Sequence, residues 1–186
     1  MGRKQGRKLK EVLEESVLES WKFFEEAAHS ANEIHKLLQK GHKTVACAES
    51  CTGGLIATLL TETPGSSRGY LGGISCYSNE AKIRLLSVPE PLIVSVGAVS
   101  KEVAGMLAEN VRTVFQSSYG LGVTGIAGPE GGTKTKPVGT IWCSISGEGI
   151  ERAWMLNLKG DRRSIRFLTA KSLLGEFLVL LRKDLR

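Results

Sequence analysis

The stretch KTVACAESCTGGLIATLLTE, residues 43–62, decides the fold. KTVACA (43–48) is a short apolar run of strand length. TGGLIATLLTE (52–62) has the look of a helix opened by two glycines. A strand, a tight turn and a helix form the repeating unit of α/β proteins. The corner between them carries Glu49, Ser50, Cys51 and Thr52, a carboxylate beside three potential nucleophiles. The turn that sets the fold class is therefore also the first place that reads as chemistry.

Working outward, the alternation continues downstream. YLGGISCYS (70–78) is strand-like and NEAKIRLLSV (79–88) helical. SKEVAGMLAENVRTVFQ (100–116) is a helix with Ser100 as its N-cap. YGLGVTGIAG (119–128) is a strand running into a loop, and PEGGTKTKPVG (129–139) is a long turn. GTIWCSIS (139–146) and RAWMLNL (152–158) flank GEG as an antiparallel hairpin. From Asp161, an N-cap, one amphipathic helix runs to the end. The predicted class is α/β, a layered α/β/α sandwich with a central mixed sheet and an extra N-terminal helical segment.

Upstream, Leu13, Val17, Leu18, Trp21, Phe24, Ala28, Ala31, Ile34, Leu37 and Leu38 recur at helical steps. SANE (30–33) has the spacing of a capping box, which predicts a break near Ser30 and a second helix ending at Gly41. The reading divides the chain into a basic tail (1–10), an appended helical segment (11–37) and one domain (38–186). A length of 186 residues with 41% hydrophobic content suits such a single folded core.

The formal charge of +6 points to nucleic acid until its distribution is considered. Five of the 25 Lys and Arg residues lie in residues 1–10, which hold no acid. The 20 others nearly match the 19 Asp and Glu, so the folded part is close to neutral and nucleic acid is disfavoured as a partner. No run approaches the ~20 apolar residues of a membrane span, and no apolar segment follows the basic start. Cys47, Cys51, Cys76 and Cys143 form no CxxC pair, which argues against zinc and a disulfide framework. Buried reduced thiols and a cytoplasmic location are the expectation.

Three polar clusters fall at the carboxyl ends of predicted strands, where open α/β sheets bind ligands. They are ESCTGG (49–54), YSNEAK (77–82) and GVTGIAGPEGGTKTKPVG (122–139). Helix starts after the first two offer unpaired N–H groups to a phosphate or an oxyanion. His29, His35 and His42 all precede the clusters, none at a strand end, so a Ser-His-Asp triad is disfavoured and all three are expected at the surface. A Ser50 nucleophile would need another base, and Lys82 is the best placed. It could serve only with its pKa lowered from ~10.4, which burial and a helix N-terminus would favour. A solvent-facing lysine is the plain alternative. Arg162 and Arg166, one turn apart, could clamp a phosphate or simply face water.

Taken together the blocks resemble the CinA carboxy-terminal domain family, the nicotinamide-nucleotide amidohydrolases. The carrying residues are AESCTGG (48–54), YSNEAK (77–82), GAVS (97–100), TGIAGPEGG (124–132), KPVGT (136–140) and GDR (160–162), within residues 38–184. The resemblance implies deamidation of nicotinamide mononucleotide by a serine nucleophile and a lysine, without metal or cofactor. It makes Ser50 the nucleophile, Lys82 the base and Tyr77 an assistant in proton movement. Glu49, Cys51, Thr52, Gly53, Asn79, Thr124, Gly125, Gly128, Arg162 and Arg166 are the expected substrate-binding residues. Cys51 is intrinsically the better nucleophile. The partner lysine in YSNEAK moves the choice to Ser50, leaving Cys51 and Thr52 as N–H donors.

Cys76 stands where the family pattern suggests a threonine, and the chain is expected to be a stand-alone form without the amino-terminal domain of many relatives. Residues 1–29 match nothing recognisable and could support a homo-oligomer or cover a sheet face. A reading of a different class is a non-catalytic nucleotide- or DNA-associated module of the competence and damage-inducible family.

Overall fold

Five residues, Val45–Glu49 (β1), form an interior strand of the sheet and are all buried. In the computed structural model, which describes residues 24–185, β1 pairs in parallel with β2 (Tyr70–Ser75) on one side and β3 (Tyr119–Gly125) on the other. β4 (Thr140–Gly147) and β5 (Ile150–Asn157) continue the sheet antiparallel, giving the order β2-β1-β3-β4-β5. A strand covered on both faces reads as continuous apolar sequence, as VACA does.

The two faces take different helices. Ala46 and Ala48 point to a cluster with Leu86, Ile93, Val103 and Leu107, supplied by α3 (Asn79–Leu86), α4 (Glu90–Val96) and α5 (Lys101–Phe115). Val45 and Cys47 point the other way, to α1 (residues 24–40), α2 (Leu55–Thr61) and α6 (Arg162–Asp184). The α/β/α sandwich with a mixed sheet is thus the observed fold. A Cβ on Gly120 would stand 1.9 Å from the Ala108 carbonyl, and one on Gly122 2.4 Å from that of Ala104. Those glycines let α5 lie directly on β3 and bring the ends of β1 and β3 under the same loops. The short helix α4, opened by Pro89, was not foreseen from the sequence.

The expected break at Ser30 is not there. Helix α1 is continuous through it and across the 37/38 boundary, and Ser30 Oγ donates to the Glu26 carbonyl instead of capping. Ala27, Ala31, Ile34 and Leu38 form one unbroken buried stripe, and burying it outweighs a cap. The basic tail and the periodic residues 11–23 lie outside the described residues.

His35 is a second correction. His29 and His42 are exposed, but His35 is 1% exposed, and its Nε2 donates to the Leu60 carbonyl at 2.6 Å. Its Nδ1 is buried without a partner among the described residues. Burial pushes its pKa down, partly opposed by the Leu60 bond. The folded state therefore resists a proton that the unfolded chain accepts near pH 6.5. Stability is expected to fall as pH drops below about 6.5, levelling once the folded pKa is passed. His35→Gln should flatten that slope in urea unfolding measured at pH 5 and 7; an unchanged slope would clear His35.

Candidate active site

The carboxyl ends of β1, β2 and β3 deliver the three polar clusters to one corner. Ser50 follows β1 directly, its N–H donating to the Val123 carbonyl of β3 at 3.1 Å. Lys82 lies on the first turns of α3, capped by Ser78, whose Oγ accepts from Ala81 N–H. Lys82 and Leu86, one turn apart, face inward, and Lys82 is only 1% exposed. Its Nζ lies 2.9 Å from Ser50 Oγ, 2.9 Å from the Cys76 carbonyl and 3.3 Å from the Tyr77 carbonyl.

That partner set defines the lysine's protonation preference. Two of its partners are carbonyls that can only accept, and the third is a hydroxyl that can do either. A neutral amine has two N–H groups for the carbonyls and one lone pair for the Ser50 O–H. Burial pushes the Lys82 pKa down, partly opposed by the thiols of Cys76 and Cys51. No carboxylate pairs with it among the described residues. In the neutral state the amine lone pair faces the Ser50 hydroxyl proton.

The neighbouring Cys51 thiol is held in its less reactive form. Burial pushes the Cys51 thiol up to about 12, so its reactive thiolate is suppressed.

Glu49 has a role that the sequence did not reveal. Its Oε2 accepts from the N–H groups of Gly54 and Ile56, both at 3.0 Å, and its Oε1 from Ala57 at 2.8 Å. The side chain is 1% exposed. It caps the start of α2, placing a carboxylate at the helix end where an anion was expected to bind. An acid five to eight residues before its donors matches no local capping motif, so only the folded turn exposes it. Glu49→Ala would strand three inward-facing N–H groups and should cost about 3 kcal/mol or more, read as the shift in urea unfolding. A loss under about 1 kcal/mol would contradict this role.

The other expected residues divide between structure and cavity. Thr124 is buried and its Oγ1 donates to the Ala98 carbonyl at 2.8 Å. Gly125 lies against β4, where a Cβ would meet Ile141 Cδ1 at 2.2 Å. Asn79 is exposed at the start of α3. Lys136, from the KPVGT block, donates to the carbonyls of Val96 and Val99, both at 2.7 Å. With Thr124 it explains the GAVS block as an anchor for the glycine-rich loop.

Tyr77 is 58% exposed, and its phenol oxygen accepts from Arg162 Nη2 at 2.6 Å. Arg162 Nη1 donates to the Gly128 carbonyl at 2.9 Å, so one guanidinium joins three segments. Gly53 (φ 60) and Gly54 (φ 95) take left-handed backbone that other residues resist, carrying the chain from Ser50 into α2. Arg166 Nε and Nη2 both donate to the Thr52 carbonyl, at 3.1 and 2.7 Å. Beside these residues an open cavity of about 760 Å³ is lined by Gly128, Pro129, Arg162, Arg163, Arg166 and Phe167 among others. A separate groove of about 520 Å³ between α5 and the β4–β5 face shares none of the expected site residues.

The sequence matches the CinA C-terminal domain over residues 27–181. The chain belongs to the CinA family. It is 51% identical over 128 residues to a CinA-like protein of Gemmatimonas aurantiaca, covering 69% of this chain and 30% of that one. With a CinA-like protein of Citrifermentans bemidjiense it shares 45% identity over 152 residues, covering 82% and 37%. The chain thus spans about a third of the length of these CinA relatives. Among solved structures, the competence/damage inducible protein CihA of Agrobacterium tumefaciens superposes with a TM-score of 0.81 at 33% identity, covering 84% of this chain and 96% of that one. A competence or damage-inducible protein of Enterobacter asburiae gives 0.81 at 26% identity, covering 83% and 98%. Among the described residues no helix is long and apolar enough to cross a membrane.

Proposed function

We propose that this CinA-family chain is an amidohydrolase that converts nicotinamide mononucleotide and water to nicotinate mononucleotide and ammonia. The observation that carries the proposal is the 2.9 Å contact between Ser50 Oγ and the Nζ of the buried Lys82. Lys82, as neutral amine, takes the Ser50 proton while Oγ attacks the amide carbon. The oxyanion that forms lies beside the N–H groups of Cys51 and Thr52, which follow the nucleophile. Lys82 returns the proton to the leaving nitrogen, the C–N bond breaks, and an ester remains on Ser50. Water then attacks the ester with Lys82 again as base, releasing the acid and restoring the serine.

The arginine-lined cavity supports an anionic substrate. Arg162 and Arg163, at the start of α6, would meet the phosphate, and the exposed Tyr77 ring offers a face to the cationic pyridinium. Ammonia release tests the proposal on four compounds: nicotinamide mononucleotide, nicotinamide riboside, free nicotinamide and glutamine. Turnover of the mononucleotide well above the other three is the expected result. Release from another carboxamide alone would keep the chemistry and change the substrate. Release from none, with DNA binding that disappears on deletion of residues 1–10, would favour a non-catalytic module.

A further inference from the structure

The turn that carries Ser50 is permissive by sequence. Gly53 and Gly54 follow one another in left-handed backbone, which glycine enters and leaves at little cost. Something beyond the turn must hold it. Its two ends are fixed by the Ser50 N–H on Val123 and by the Glu49 carboxylate on Gly54. Its middle is the Thr52–Gly53 peptide unit. The N–H of that unit, on Gly53, donates to the Ser50 carbonyl at 3.1 Å. Its carbonyl, on Thr52, receives both prongs of Arg166 from a point 114 residues away in sequence.

A continuous chain therefore runs from the Arg166 cation through one peptide unit to the Ser50 backbone. Charge on the carbonyl end polarises the N–H end, strengthening the second bond as it fixes the first. Thr52 is fully buried and its hydroxyl has no partner among the described residues, so its side chain supplies no polar anchor. We infer that Arg166 is a positioning residue that fixes the Ser50 turn, with its guanidinium committed to Thr52 rather than to the anionic end of a substrate. The kinetic part of this inference rests on the amidohydrolase reading; the structural part does not.

The test uses the full chain with Arg166→Met and Arg166→Lys, both first checked for an intact thermal unfolding transition. Amide hydrogen exchange at Gly53 reads the turn directly. It should speed up by about 10-fold or more in Arg166→Met, with the last turns of α6 unchanged. An unchanged Gly53 rate would overturn the inference whatever the enzyme does. With nicotinamide mononucleotide, Arg166→Met should lower kcat by about 10²-fold, as a misaligned nucleophile does, while KM moves less than about 3-fold. Arg166→Lys, which cannot present two prongs, should recover only part of that loss. Labelling of Ser50 by a fluorophosphonate should slow in step with kcat, with Ser50→Ala as the unlabelled control. A raised KM at unchanged kcat would make Arg166 a substrate ligand and overturn the inference. If the wild-type chain neither hydrolyses nor labels, the amidohydrolase reading fails, and Gly53 exchange alone decides the positioning role.

Discussion

Ser50→Ala is expected to lower ammonia release from nicotinamide mononucleotide by about 10⁴-fold or more, the scale seen when a covalent nucleophile is removed. The fold should survive. Ser50 Oγ makes one hydrogen bond, with Lys82, and the turn is held by bonds to Val123, Gly53, Glu49 and Arg166 that do not involve that hydroxyl. Unfolding by urea should therefore stay within about 1 kcal/mol of wild type. Cys51→Ala should retain turnover, because its thiol is held neutral at working pH. A Ser50→Ala protein at full activity beside an inactive Cys51→Ala would reverse the assignment of nucleophile.

Lys82→Met should cost about 10²–10⁴-fold in kcat, the usual worth of a positioned base. The pH profile is the sharper measurement. A lysine works as a base only when neutral, so the rate should rise with pH and level off above the Lys82 pKa. Burial pushes that pKa down, so the midpoint should lie below the ~10.4 of a free lysine. In Lys82→Met this rising limb should vanish along with most of the rate. Lys82→Arg should not restore it, since a guanidinium stays protonated and cannot accept the serine proton. A limb that persists in Lys82→Met would assign the proton to another group.

Local pattern was enough for the strands, for Ser100 and Asp161 as caps, and for the GEG hairpin, because each depends on neighbours in sequence. The motifs also named the two side chains that meet at 2.9 Å across 32 residues. What stayed hidden depends on partners that no window contains. Glu49 sat in the quoted corner with no visible purpose, because its three donors become a set only when Gly53 and Gly54 bend the chain. The Arg166 bond to the Thr52 carbonyl was invisible because nothing near it in sequence offers that partner. His35 passed for a surface histidine because its burial comes from Leu60 and Gly69, beyond its own helix. The apparent capping box at Ser30 misled in the opposite direction, a local signal overruled by a continuous apolar stripe.

The four cysteines carry a consequence for oxidative stress. All are buried as free thiols, and burial pushes each of their pKa values up. Peroxides and alkylating agents attack thiolates, so these sulfurs offer little target even though Cys51 adjoins Ser50. The proposed Ser50–Lys82 chemistry, carried by an oxygen and an amine, should withstand peroxide levels that inactivate exposed catalytic thiols.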